Sequence, residues 1–87
     1  MTIIKQIEAS VADIVFFTSA FTAQNNIYIN ECNKPSRSYS HKACSDAFDR
    51  AKGYAKMAIS TCEDLGLDPS SVCREQYVFL HLYKAEA

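Results

Sequence analysis

Tryptophan is absent from this 87-residue chain, and glycine and proline occur only twice each. Two glycines cannot build a loop that wraps phosphate, and the sequence contains no GxGxxG, P-loop, GxSxG or HExxH pattern. A long apolar run is also missing, because Glu8 and Asp13 interrupt the most hydrophobic stretch. We therefore predict a protein that is not an enzyme, takes no cofactor and has no membrane-spanning helix.

An excess of charge of either sign is also lacking. Nine Lys and Arg residues stand against ten Asp and Glu residues, which gives a net charge of −1. Such a balance argues against a nucleic-acid partner. The 48% hydrophobic content is typical of one folded domain, here residues 1–87. A domain of this size is only marginally stable by itself and is commonly supported by disulfides, a metal or a partner chain.

Helical periodicity divides the chain into three segments, with helices predicted at about residues 2–31, 41–65 and 69–84. Ser40 is the expected N-cap of the second helix, and Gly66 its left-handed C-terminal residue. Asp68 and Pro69 then occupy N-cap and first-turn positions of a third helix. The apolar positions recur at spacings of three and four, in the first helix at Ile4, Ile7, Val11, Ile14, Thr18 and Phe21. Ile3, Val15 and Phe17 widen this stripe.

The second helix has an apolar face rich in alanine, which allows close approach of neighbouring helices and favours a central position. We predict an all-α fold, a three-helix antiparallel bundle. A first helix of about 30 residues would be about 45 Å long and would extend beyond the others. We expect a homodimer to complete the bundle by covering this extension. The alternative is an α+β fold in which residues 27–29 and 77–83 pair as two short strands.

The four cysteines lie near helix ends, at Cys32, Cys44, Cys62 and Cys73. The N-terminus makes a poor secretion signal, so we predict a cytoplasmic location and free, buried thiols. One alternative is disulfide bonding, for which an antiparallel hairpin favours the pairs Cys32–Cys44 and Cys62–Cys73. A weaker alternative is zinc bound by His41, Cys44, Cys32 and either remaining cysteine. His41 and Cys44 are also the sole candidates for a nucleophilic dyad.

Aromatic residues give the best indication of a binding surface, because five Phe and five Tyr exceed what three short helices need in their common core. Residues 33–56 also form a basic band of net charge +4, although a solvated helix face is the simpler explanation of it. The candidate partner-binding residues are Phe16, Tyr28, Tyr39, Arg37, Lys42, Lys52 and Lys56.

These observations predict a small protein-binding module that acts by occupying a surface of another protein, as inhibitors, immunity proteins and regulatory subunits do. The alternative is an extracytoplasmic helical protein held together by disulfides or zinc.

Overall fold

The computed structural model describes residues 2–82, with side chains from residue 10 onward. Four helices make up this part of the chain: α1 (Thr2–Cys32), α2 (His41–Asp64), α3 (Pro69–Val72) and α4 (Arg74–Leu82). No strand occurs between residues 2 and 82. Within the same range, no helix is long and apolar enough to cross a membrane. The fold of the described residues is therefore all-helical.

Helices α1 and α2 run antiparallel along most of the length of α2. Ile14 packs with Cys62 near the end of α2, Phe21 packs with Ala55 near its middle, and Cys32 is bonded to Cys44 near its start. This register places the last residue of α2 beside about residue 12 of α1. About ten residues of α1, or about 15 Å of helix, therefore extend beyond α2.

The buried face of α2 is made of small residues, as the sequence pattern predicts. Ala47, Ala51, Ala55 and Ala58 have no accessible surface. Larger side chains from the neighbouring helices fill the space above them. Phe79 of α4 lies edge-on to Phe21 of α1, with ring centroids 5.0 Å apart, and tilted against Phe48 of α2 at 5.4 Å. These aromatic contacts pack α4 against the α1–α2 hairpin.

The predicted helix boundaries at the α2 ends are confirmed by their hydrogen bonds. The Ser40 side chain accepts a hydrogen bond from the Ala43 backbone N–H at 3.2 Å. Gly66 has φ 73°, and the N–H of Leu67 donates to the Cys62 carbonyl at 2.9 Å, the Schellman arrangement.

Two sequence predictions need correction. The third helix is not continuous, because Cys73 (φ −120°, ψ 51°) breaks it into α3 and α4. Residue Asp68 caps α3 as expected, accepting from the Ser70 N–H at 3.1 Å. The strand pair is not supported, because residues 27–29 lie within α1 and residues 77–82 within α4. The remaining predicted positions, 83 and 84, lie outside the described residues.

Candidate functional site: a groove beside the disulfide

A disulfide between Cys32 and Cys44 joins the end of α1 to the first turn of α2, with Cα atoms 5.8 Å apart. It fixes both ends of the connecting segment 33–40. Local contacts order this segment further: the Ser38 N–H donates to the Pro35 carbonyl at 2.8 Å, and Lys34 forms an ion pair with Glu31 at 2.8 Å. A short segment closed by a covalent bond has fewer conformations to lose on binding than an open loop of the same length.

An open groove of about 310 Å³ lies against this disulfide. Tyr28 and Phe48 form one tilted aromatic pair in it, with ring centroids 5.3 Å apart. Tyr39, from the connecting segment, is 42% exposed. We call this surface the disulfide-end groove, and it is lined by Tyr28, Cys32, Tyr39, His41, Cys44, Ser45 and Phe48.

Four of the predicted binding residues thus come from this end of the molecule. Tyr28 and Tyr39 line the groove together although they belong to different elements. Exposed Arg37 and Lys42 belong to the segment that forms the groove and to the first turn after it. Neither residue lines the groove itself, but both bring positive charge to the end of the molecule that carries it. Such a surface suits an apolar side chain with a carboxylate near it.

The other predicted residues lie elsewhere. Phe16 is twelve residues before Tyr28 on α1, a distance of about 18 Å along the helix. It is 60% exposed, and its ring centroid lies 5.6 Å from that of Phe17 and 6.3 Å from that of Tyr54. Lys52 is half-buried and Lys56 exposed, both on α2.

The apolar stripe predicted for α1 is only partly buried. Ile14 and Phe21 lie in the core, but Val11 and Val15 are 47% and 59% exposed. Val11 lies on the part of α1 that extends beyond α2. Val15 follows Ile14 and is therefore rotated by about 100° around the helix, away from α2. Sequence periodicity missed this exposure because it does not show where the neighbouring helix ends.

The disulfide also removes two alternatives for Cys44. Its sulfur is bonded to Cys32, so it is neither a thiolate ligand for zinc nor the nucleophile of a dyad with His41. Among the residues that the structure describes, no group of three or more His, Cys, Asp or Glu side chains is arranged to hold a metal ion.

The prediction of free, buried thiols is therefore wrong for Cys32 and Cys44, which are bonded to each other. The remaining cysteines, Cys62 and Cys73, are free thiols in this structure and fully buried. Their Sγ atoms are 2.9 Å apart. Burial, reinforced by the neighbouring Cys62 sulfur, raises the pKa of the Cys73 thiol from 9.0 to about 12. At neutral pH Cys73 is therefore protonated, which makes it a poor nucleophile.

Comparisons with models of protein families, with curated proteins and with solved structures found no match to this chain.

Proposed function

We propose that this chain is a small, non-enzymatic protein-binding module that acts by occupying a surface of a partner protein, in the manner of an inhibitor, immunity or regulatory protein. The observation that carries the proposal is the disulfide-end groove. It has an aromatic lining, an exposed Tyr39 and a backbone already held in place by the Cys32–Cys44 bond. Exposed tyrosine on an ordered backbone contributes contact area at a small entropic cost, which is a common property of binding surfaces.

The partner that this groove fits is a protein segment with an apolar side chain and a neighbouring carboxylate. The apolar group would pack between the rings of Tyr28, Tyr39 and Phe48. The carboxylate would meet the positive charge of Arg37 or Lys42. This charge would mainly accelerate association, whereas the buried aromatic contact would set the lifetime of the complex.

The same disulfide supports an oxidising location for this binding module. Stable structural disulfides are rare in a reducing cytosol and common in secreted or periplasmic proteins. The cytoplasmic location predicted from the sequence depended on an N-terminus that makes a poor secretion signal, and not on the cysteines themselves. We therefore place the module in an oxidising compartment. The proposal keeps the predicted function, protein binding, and combines it with the extracytoplasmic location of the alternative.

Site-specific photocrosslinking tests the groove in cells that produce the protein. A photoreactive phenylalanine at position 39 should yield a discrete adduct with one partner protein. The matched control is position 77, because Tyr77 is 43% exposed on α4, close to the 42% of Tyr39. The purified partner should then bind Tyr39→Ala at least about 30-fold more weakly than the wild type, as expected for a central binding residue.

The same partner should bind Tyr77→Ala with unchanged affinity. Charge reversal by Arg37→Glu and Lys42→Glu should slow association, most strongly at low salt. Equal adduct yields at positions 39 and 77, or an affinity unaffected by Tyr39→Ala, would contradict the assignment of the groove.

Self-association is a second part of the proposal and depends on a different surface. Val11, Val15 and Phe16 are exposed on α1. Val11 lies where the helix extends beyond α2, and Val15 and Phe16 lie within the next two turns. We infer that a second copy covers them across a twofold axis. Sedimentation equilibrium should give a dimer for the wild type and a monomer for Phe16→Ser. The control Leu82→Ser, at the more exposed Leu82 of α4, should remain dimeric. A monomeric wild type would rule out this surface as a dimer interface.

A further inference from the structure

Cys62 and Cys73 come together where three elements meet. Cys62 lies in the last turn of α2, and Cys73 is the residue that separates α3 from α4. Both have essentially no accessible surface and belong to the core cluster that contains Ile14 and Ala58. The Sγ atoms are 2.9 Å apart, which is closer than the about 3.5–4.0 Å typical of nonbonded heavy atoms. A disulfide requires about 2.05 Å, so the sulfur atoms need to approach by less than 1 Å.

The surroundings of this pair favour a bond over the other roles of paired thiols. A metal site needs further ligands, and none of the described His, Cys, Asp or Glu side chains joins the pair in a ligand group. A reactive thiol needs exposure and a lowered pKa, whereas both sulfurs are buried and burial raises the pKa of Cys73. Besides Cys62, Cys73 Sγ makes a weak polar contact with the Ala58 carbonyl, at 3.9 Å.

We propose that Cys62 and Cys73 form a second disulfide, so that α2 is cross-linked to the preceding helix at its start and to the following helices at its end. The oxidant is a protein or small-molecule disulfide, as supplied by thiol oxidoreductases or oxidised glutathione. One cysteine thiolate attacks that disulfide and releases its first thiol. The second cysteine then attacks the mixed disulfide and releases the other thiol. Two electrons and two protons pass from the cysteine pair to the oxidant.

The bond forms before the core closes. In the folded protein both sulfurs are buried, so an oxidant has poor access to either, and the raised pKa of Cys73 keeps that thiol protonated. In the unfolded chain only ten residues separate the two cysteines, which keeps the thiols at high effective concentration. Once folding buries it, the bond is equally protected from external reductants. The pair is therefore a structural disulfide, not a redox switch.

Peptide masses show the cysteine pairing directly when the protein is produced in an oxidising compartment. The protein is denatured with an alkylating agent, without reductant, and digested with trypsin. Cleavage after Lys56 and Arg74 leaves both Cys62 and Cys73 in one peptide, residues 57–74. We expect this peptide to be unalkylated and lighter by two hydrogen atoms than its reduced form. Residues 6–37 and 43–50 should appear as one linked species through Cys32 and Cys44.

A second digestion separates the two cysteines of the pair. Cleavage at Glu63, Asp64 or Asp68 leaves two fragments that remain joined only if the bond exists. Doubly alkylated residues 57–74, found together with an intact link between 6–37 and 43–50, would overturn the proposal. A link between 57–74 and either other cysteine peptide would overturn it as well. Neither result bears on partner binding, because the disulfide-end groove lies at the opposite end of α2.

Discussion

Reduction of the Cys32–Cys44 bond should remove a large contribution to stability while leaving every side chain of the core in place. It links residues with a sequence separation of 12. For a loop of this size, the chain-entropy relation gives about 10 cal/mol/K, or about 3 kcal/mol at 25 °C. A typical domain of this length has a free energy of unfolding of about 4–13 kcal/mol. The bond therefore supplies a large part of the stability.

The effect is best measured in a Cys62→Ala/Cys73→Ala background, where Cys32–Cys44 is the sole possible disulfide. Reductant should lower the free energy of unfolding by about 3 kcal/mol in urea titrations. The unfolding entropy of an 87-residue chain, about 180 cal/mol/K, converts this loss into a fall in Tm of about 17 °C. The matched control adds Cys32→Ser and Cys44→Ser, and its Tm should not respond to reductant.

A loss below about 1 kcal/mol in this experiment would refute the entropic reasoning. It would mean that the unfolded chain already keeps the two helix ends close together, as a persistent Tyr28–Phe48 contact could do. Equal sensitivity of the control to reductant would show that the change did not come from this bond.

Four substitutions and one change of pH provide further tests of the fold. Gly53→Ala should stabilise α2 by about 1 kcal/mol, because a Cβ there meets nothing within 4 Å. Gly66→Ala should destabilise the protein by about 1–2 kcal/mol, because φ is 73°. The urea midpoint should therefore rise for the first variant and fall for the second. Phe79→Ala should cost about 3–5 kcal/mol and release α4, and the exposed Val78→Ala should cost less than about 0.5 kcal/mol, as hydrogen exchange and urea titration would show. With reductant present, the raised pKa of Cys73, about 12, means that stability is complete below about pH 9 and falls as pH rises through 12. Urea midpoints across this range would show the decline, which the oxidised protein should lack.

Local sequence determined both ends of α2 and the start of α3. Ser40, Gly66 and Asp68 each form the capping contact predicted for them, since a cap depends on residues within one turn. The alanine face of α2 could also be predicted from the sequence, because the buried positions of a helix repeat with the helical period. The break at Cys73 was not, because its conformation accompanies a contact with Cys62 eleven residues earlier.

The candidate site was only half determined by the sequence. Tyrosine and basic residues near the first connection could be selected by type, but a groove shared by Tyr28 and Tyr39 exists only once Cys32 meets Cys44. The same limit applies to the α1 surface, where Val15 fits the apolar stripe yet lies exposed. Sequence fixes which residues share a helix face, whereas the register between helices decides which of those faces is covered and which cysteines meet. That register depends on contacts between distant parts of the chain, which a local pattern does not encode.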